Sequence, residues 1–146
     1  MPATTDLPAL IPVIQSAISP MILISGVGLL LISMSNRLGR IIDRTRKLAE
    51  LRKAGAPKAE AQIRIVWRRA RMLRVAMTLA AFSILLTAIN IILLFLSALS
   101  GFPGGPVVVA LFVLGMLSLI GALSIYILEI NWSIKAIALE LEVEGP

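Results

Sequence analysis

The chain of 146 residues has no cysteine and no histidine. Without thiols there are no disulfides, no thiolate metal ligands and no CxxC redox chemistry. Without imidazole, every dyad or triad that uses a histidine base is excluded. Aromatic residues make up only 5% of the chain and charged residues 15%, while 58% is apolar. Ordinary soluble domains carry roughly 45 to 50% apolar residues even with glycine counted, so a soluble globular reading is excluded. Acids are outnumbered, eight against 14 lysines and arginines, for a formal charge of +6. The resulting pI of about 10.8 would suggest a nucleic-acid binder in a less apolar chain. Here no nucleic-acid partner is expected.

What the chain has is long runs without charge. No ionisable side chain occurs between Leu7 and Asn36, or between Val75 and Leu128. A membrane-spanning helix needs about 20 apolar residues, so the first run holds one span and the second holds two. Gly101-Phe102-Pro103-Gly104-Gly105-Pro106 divides the second run with residues that end helices and form tight turns. The expected organisation is a leading segment over 1–13, spans over 14–36, 75–100 and 107–128, and a turn over 101–106. Phe102, Tyr126 and Trp132 lie close to span ends, where aromatic belts form.

Pro8, Pro12 and Pro20 crowd the start of the first span. Ser19-Pro20 suits an N-cap followed by the first helical position, which would leave 9–18 as a separate short helix. Otherwise Pro20 kinks one longer helix that starts near Val13, and both alternatives stay open. No positive n-region precedes the apolar run, so a cleaved signal peptide is not expected.

Residues 37–74 hold 13 of the 14 basic side chains against Asp43, Glu50 and Glu60, a local net of +10. The positive-inside rule makes this segment cytoplasmic. The N-terminus and the 101–106 turn are then outside, and the C-terminus is inside.

The basic segment is symmetric about a turn at 54–57, Ala54-Gly55-Ala56-Pro57. Ala59, Ile63, Val66, Ala70, Leu73 and Met77 recur at spacings of four and three, a heptad seam. Leu38, Ile41, Thr45, Leu48 and, less cleanly, Arg52 repeat the pattern before the turn, with Ile42 and Ala49 widening the stripe. The C-terminal 129–146 adds Ile130, Ile134, Ile137 and Leu141 at the same spacing, and Glu129, Glu140, Glu142 and Glu144 against Lys135. The expected fold is an all-α polytopic membrane protein. Helices 1 and 2 extend about 25 Å into the cytoplasm as an antiparallel coiled-coil hairpin. Helix 3 extends into an amphipathic acidic helix, which lays its isoleucines on the hairpin and its glutamates beside the arginines as exposed pairs worth about 0 to 1 kcal/mol each.

Arg37, Arg40, Arg44 and Lys47 share one helix face just after the first span, and Arg64, Arg68, Arg71 and Arg74 crowd the approach to the second. Such faces bind anionic lipid headgroups, phosphorylated ligands or permeating anions. The bland reading, which we favour, is a positive-inside anchor in which Asp43 pairs with Arg46, Lys47 or an arginine across the hairpin. Within the spans, Gln15, Ser19, Gly26 and Ser33 share a face of the first helix, and Ser83, Thr87 and Asn90 share one of the second. A pore needs such stripes, and so does close helix packing, the reading we favour here too.

Catalysis is not expected. The only aspartates, Asp6 and Asp43, lie outside the spans, and no lysine or histidine reaches membrane depth to activate a serine. Ion-coupled carriers place ionisable groups at membrane depth, and the spans have none. No cofactor or metal is expected.

Ile18-Ser19-Pro20, Leu23 to Leu31, and above all Asn36-Arg37-Leu38-Gly39-Arg40-Ile41-Ile42-Asp43-Arg44-Thr45-Arg46 resemble a bacterial family of small integral-membrane proteins catalogued as a domain of unknown function. The resemblance covers most of the chain and implies a bacterial inner-membrane location. It carries over no functional residues.

Two functions fit these features. One is a homo-oligomer that forms or gates a pore beneath which the arginines make a charged vestibule. The other is a non-conducting scaffold or accessory subunit whose cytoplasmic helices bind a protein partner or anionic lipid.

Overall fold

A computed structural model of the chain describes residues 7–53, 59–100 and 104–143, with the side chains at 7–10, 13, 59, 61 and 133–143 outside that description. Three long helices make up the described residues: α1 Leu7–Lys53, α2 Ala59–Ser100 and α3 Gly105–Val143. Their lengths are 47, 42 and 39 residues. At 1.5 Å per residue, a bilayer core of about 30 Å takes up only about half of each.

The α1 helix runs through both Pro12 and Pro20. The alternative of a separate outer helix ending before Pro20 is therefore not found. Each proline removes one N–H from the helical ladder. Breaking the helix would leave several backbone groups unpaired in an apolar surrounding, which costs more than the single missing bond. At the other end of the apolar run, α3 starts where Val108 N–H donates to the Gly104 carbonyl at 3.1 Å. Pro106 falls in the first turn of α3, where its missing N–H has no partner to lose. The expected turn at 54–57 and residues 101–103 lie outside the described residues.

Val27, Met34, Ile41 and Leu48 are the positions of α1 that are buried along this contact, each seven residues from the last. Met34, Ile41 and Leu48 pack with Val66, Leu73 and Ala76 of α2, and Leu38, Ile63, Ala70 and Met77 close over them. Leu38, Ile41, Leu48, Ile63, Val66, Ala70, Leu73 and Met77 are positions that the heptad spacing singles out, whereas Met34 and Ala76 join the core from outside that seam. The later half of α1 meets the earlier half of α2, and Val27, further back on α1, joins Ala80, further on along α2, so the two helices run antiparallel. Ile42 and Ala49, expected to widen the stripe, are exposed instead. Each lies one residue beyond a buried position, a rotation of about 100°, which carries it off a narrow contact between two helices. Arg52 is exposed as well.

The α2 helix lies between the other two and packs along both. Val27 and Ala80 join Leu119 and Ala122 of α3 in a second core. Small residues bring α2 and α3 together. A Cβ at Gly115 would lie 3.6 Å from Leu86 Cβ, and one at Gly121 would lie 3.6 Å from Leu79 Cδ1. Ser118 Oγ donates across the contact to the Leu79 carbonyl at 2.8 Å. Close approach of this kind is how helices associate in lipid, where the hydrophobic effect gives no drive.

Large apolar side chains cover the outside. Phe82, Leu85, Ile92 and Leu96 on α2 and Val109, Leu117 and Ile120 on α3 are all exposed. A surface of this extent signals contact with lipid or with another chain rather than water. All three helices are long and apolar enough to cross a membrane, within Ile14–Lys53, Gln62–Ser100 and Gly105–Trp132.

The α1–α2 core should respond sharply to cavities. Leu73 is 0% exposed, and Leu73→Ala is expected to cost about 2 to 5 kcal/mol. Ile65→Ala, at an exposed position on the same helix, should stay within about 0.5 kcal/mol of the parent. Thermal unfolding of the two variants in detergent checks the contrast.

Candidate functional site

The α3 stripe that faces α2 reads Gly115, Leu119, Ala122, Tyr126, Glu129, again at spacings of four and three. The last position is a carboxylate where the pattern calls for an apolar residue. Glu129 is 0% exposed. Its Oε1 accepts from Arg69 Nε at 3.2 Å and Nη2 at 3.1 Å. Its Oε2 lies 2.9 Å from Arg37 Nε, an ion pair without hydrogen-bond alignment. The side chains of Arg37 and Arg69 are 23% and 19% exposed. One buried anion thus holds two half-covered cations, and the cluster ties α1, α2 and α3 together at one level.

This differs from the expected arrangement, in which Glu129 joined a set of exposed surface pairs. A surface pair is worth little because water competes for both partners. A carboxylate out of water is costly unless its oxygens are paired, and here two guanidinium groups pair them. Arg69 was not among the candidate arginines at all. It lies three residues after Val66 and four before Leu73, on the flank of the seam, and helical spacing alone aims it at α3. The signal for Glu129 was its place on the α3 stripe, seven residues beyond Ala122 and three beyond Tyr126.

Of the expected basic face on α1, Arg37 turns into the cluster, while Arg40, Arg44 and Lys47 remain exposed. Asp43 is exposed, and among the described residues it makes no ion pair. Its expected pairing with Arg46, Lys47 or a cross-hairpin arginine is therefore corrected. Water solvates all of these groups, and an exposed pair gains too little to immobilise two side chains. On α2, Arg64, Arg68, Arg71 and Arg74 are exposed. Arg68 lies over the Trp132 ring, 5.0 Å from its centroid, in cation–π contact.

The two polar stripes of the spans have opposite fates. Ser83, Thr87 and Asn90 are buried. The Ser83 carbonyl and the Thr87 hydroxyl face Gly115 of α3 at 3.7 and 3.8 Å from an added Cβ. Thr87 Oγ1 donates to the Ser83 carbonyl at 2.9 Å, the local back-bonding that lets a hydroxyl lie in an apolar contact. Asn90 Oδ1 is buried without a hydrogen-bond donor among the described residues. Gln15, Ser19, Gly26 and Ser33 are exposed, and a Cβ on Gly26 would meet nothing within 4 Å. The expected pairing positions Ile134, Ile137, Glu140 and Leu141 belong to the backbone of α3, but their side chains lie outside the described residues, as does all of Glu144.

Comparison with known proteins adds a family but no activity. No curated protein matches the chain, and no solved structure does. A family model described as a protein of unknown function, DUF2721, matches residues 17–139. That stretch takes in both cores and all three members of the charge cluster. The chain, with its three apolar helices joined through Glu129, belongs to the DUF2721 family.

Proposed function

We propose that this protein is a non-conducting, self-associating platform in a bacterial inner membrane, which presents arginine-rich helix ends to a partner at the cytoplasmic surface. The observation that carries the reading is the fate of the second helix. Its polar stripe, Ser83, Thr87 and Asn90, is closed off inside one chain against the small residues of α3, while Arg40, Arg44, Arg64, Arg68, Arg71 and Arg74 face outward. The charge asymmetry orients the chain, with the net of +10 over 37–74 on the cytoplasmic side by the positive-inside rule. The N-terminus is then outside, and the parts of the helices beyond the bilayer form a coiled-coil hairpin joined by the acidic end of α3. The Asn36–Arg46 string, the most distinctive part of the family resemblance, supplies Arg37 to the charge cluster.

A specific observation also favours the pore reading. Gln15, Ser19, Gly26 and Ser33 are uncovered in a single chain, as residues lining an axis between copies would be. Planar bilayers containing protein shown to be assembled separate the two readings. The platform should be silent across voltages and salts. Discrete conductance that Arg40→Glu or Ser33→Leu alters would overturn it in favour of the pore.

A further inference from the structure

Where α2 enters its charge-free run at Val75, two shallow grooves flank Arg71. One lies toward α3 and is lined by Arg68, Met72, Val75 and Ile125 together with Arg71. The other lies on the opposite side, beside Trp67 and Arg74. The first combines two arginines with the apolar Met72, Val75 and Ile125, and the second interleaves Arg71 and Arg74 with Trp67, Ala70 and Val75. Among the described residues, Arg68, Arg71 and Arg74 make no ion pair, unlike Arg37 and Arg69 nearby. Trp67 and Trp132 are 61% and 55% exposed, at the level where aromatic side chains mark a bilayer interface.

We propose that the groove between α2 and α3 is a binding site for an anionic phospholipid, with the phosphodiester held by Arg68 and Arg71 and the start of an acyl chain laid along Met72, Val75 and Ile125. Deepening the platform reading, on which it rests, the site assigns the bilayer's own anionic lipid as a ligand of the basic face. Three features favour it. Arg71 lies only one helical turn, about 6 Å, from the first residue of the charge-free run, so its guanidinium sits at headgroup level. Trp132 holds the Arg68 guanidinium in cation–π contact, 5.0 Å from its ring centroid, beside a groove where arginine can offer a phosphate the bidentate geometry that lysine does not. The wall below is apolar and continuous with the exposed face of the span, which suits a lipid tail. A soluble phosphorylated ligand has no use for such a wall. Basic grooves between membrane helices on the cytoplasmic side are a recurrent form of headgroup site.

The test is native mass spectrometry of the full chain released from mixed micelles with equal amounts of phosphatidylglycerol and phosphatidylcholine. Wild type should retain phosphatidylglycerol over phosphatidylcholine by roughly 30-fold, the ratio expected for two arginines near the surface. Arg68→Gln with Arg71→Gln should abolish the preference. Arg40→Gln with Arg44→Gln on α1 should leave it in place, and both double variants should unfold at the wild-type temperature in phosphatidylcholine, because all four positions are exposed. A preference kept at the wild-type ratio by the Arg68/Arg71 variant overturns the site, as does a preference lost as fully in the Arg40/Arg44 variant, which would mean diffuse charge. Displacement of the lipid by millimolar inorganic phosphate would make it a free-anion site and overturns the lipid assignment. So would a protein captured stoichiometrically by wild type and lost in the Arg68/Arg71 variant while lipid retention stays unchanged. Channel currents would remove the platform reading and leave the lipid ratio untouched, whereas a flat lipid ratio in a silent protein removes only this inference.

Discussion

Glu129→Leu will destabilise the full chain in detergent by about 3 to 5 kcal/mol, the usual cost of removing one member of a buried charge cluster. The loss does not measure the strength of the ion pairs. Arg37 and Arg69 keep only about a fifth of their side-chain surface, and removal of the carboxylate takes away the buried anion that both of them pair with. Glu129→Gln keeps the shape and an acceptor for the two Arg69 N–H groups, but it removes the charge. About 1 to 3 kcal/mol is expected for it. Arg37→Leu and Arg69→Leu should each be milder than Glu129→Leu, because the remaining arginine still neutralises the carboxylate. The triple replacement by leucine removes every charge at once, and its stability should return to near wild type or exceed it, as buried ion clusters exchanged for apolar side chains commonly do. Thermal unfolding of the set decides the matter. If Glu129→Leu melts with wild type, Glu129 is not held between the arginines.

Gly115→Leu will separate α2 from α3, at a cost of about 1 to 3 kcal/mol or more. A single methyl group fits, since a Cβ there would sit 3.6 to 3.8 Å from Leu86 Cβ, the Ser83 carbonyl and Thr87 Oγ1, all ordinary contacts. Gly115→Ala should therefore stay within about 0.5 kcal/mol of the parent. Two of the three neighbours belong to α2 close to its backbone and have no room to retreat, so the three further carbons of leucine push the helices apart. The Ser118 to Leu79 hydrogen bond, 2.8 Å long and one turn away, is lost with them. The absence of native cysteine makes the separation readable through an engineered pair, Leu79→Cys with Gly121→Cys. A short thiol-specific bifunctional reagent should bridge this pair in the parent, where an added Cβ at Gly121 lies 3.6 Å from Leu79 Cδ1, and fail to do so with Gly115→Leu.

Much of this architecture is legible in the residues themselves. Charge-free runs bound the apolar helices because a charge in lipid is expensive, and the glycine-proline cluster at 101–106 divides the longer run. The spacing of Ile41, Leu48, Val66 and Leu73 predicts the α1–α2 contact because a helix repeats its face about every seven residues. Three features escape such reading. Pro20 has two outcomes from sequence, and the surroundings of the whole helix decide between them. Ile42 and Ala49 are apolar enough for a core, but only the width of the real contact excludes them. Glu129 is hardest, since an acid beside a basic segment reads as a surface partner until the α3 stripe is followed through Tyr126 to its end. Hydropathy marks charges as outside a core, so a charge inside one is what such reasoning misses.

The cluster around Glu129 has a consequence for how the chain is made. Arg37 and Arg69 are synthesised 92 and 60 residues before their common partner. Until α3 emerges, the carboxylate that pairs with Arg37 and Arg69 is not yet in place. Arrival of the third helix at full depth seats Glu129 between them. A shift of one residue along α3 rotates the carboxylate by about 100° and loses both contacts together. The cluster therefore distinguishes a fully inserted, correctly registered chain from every earlier stage.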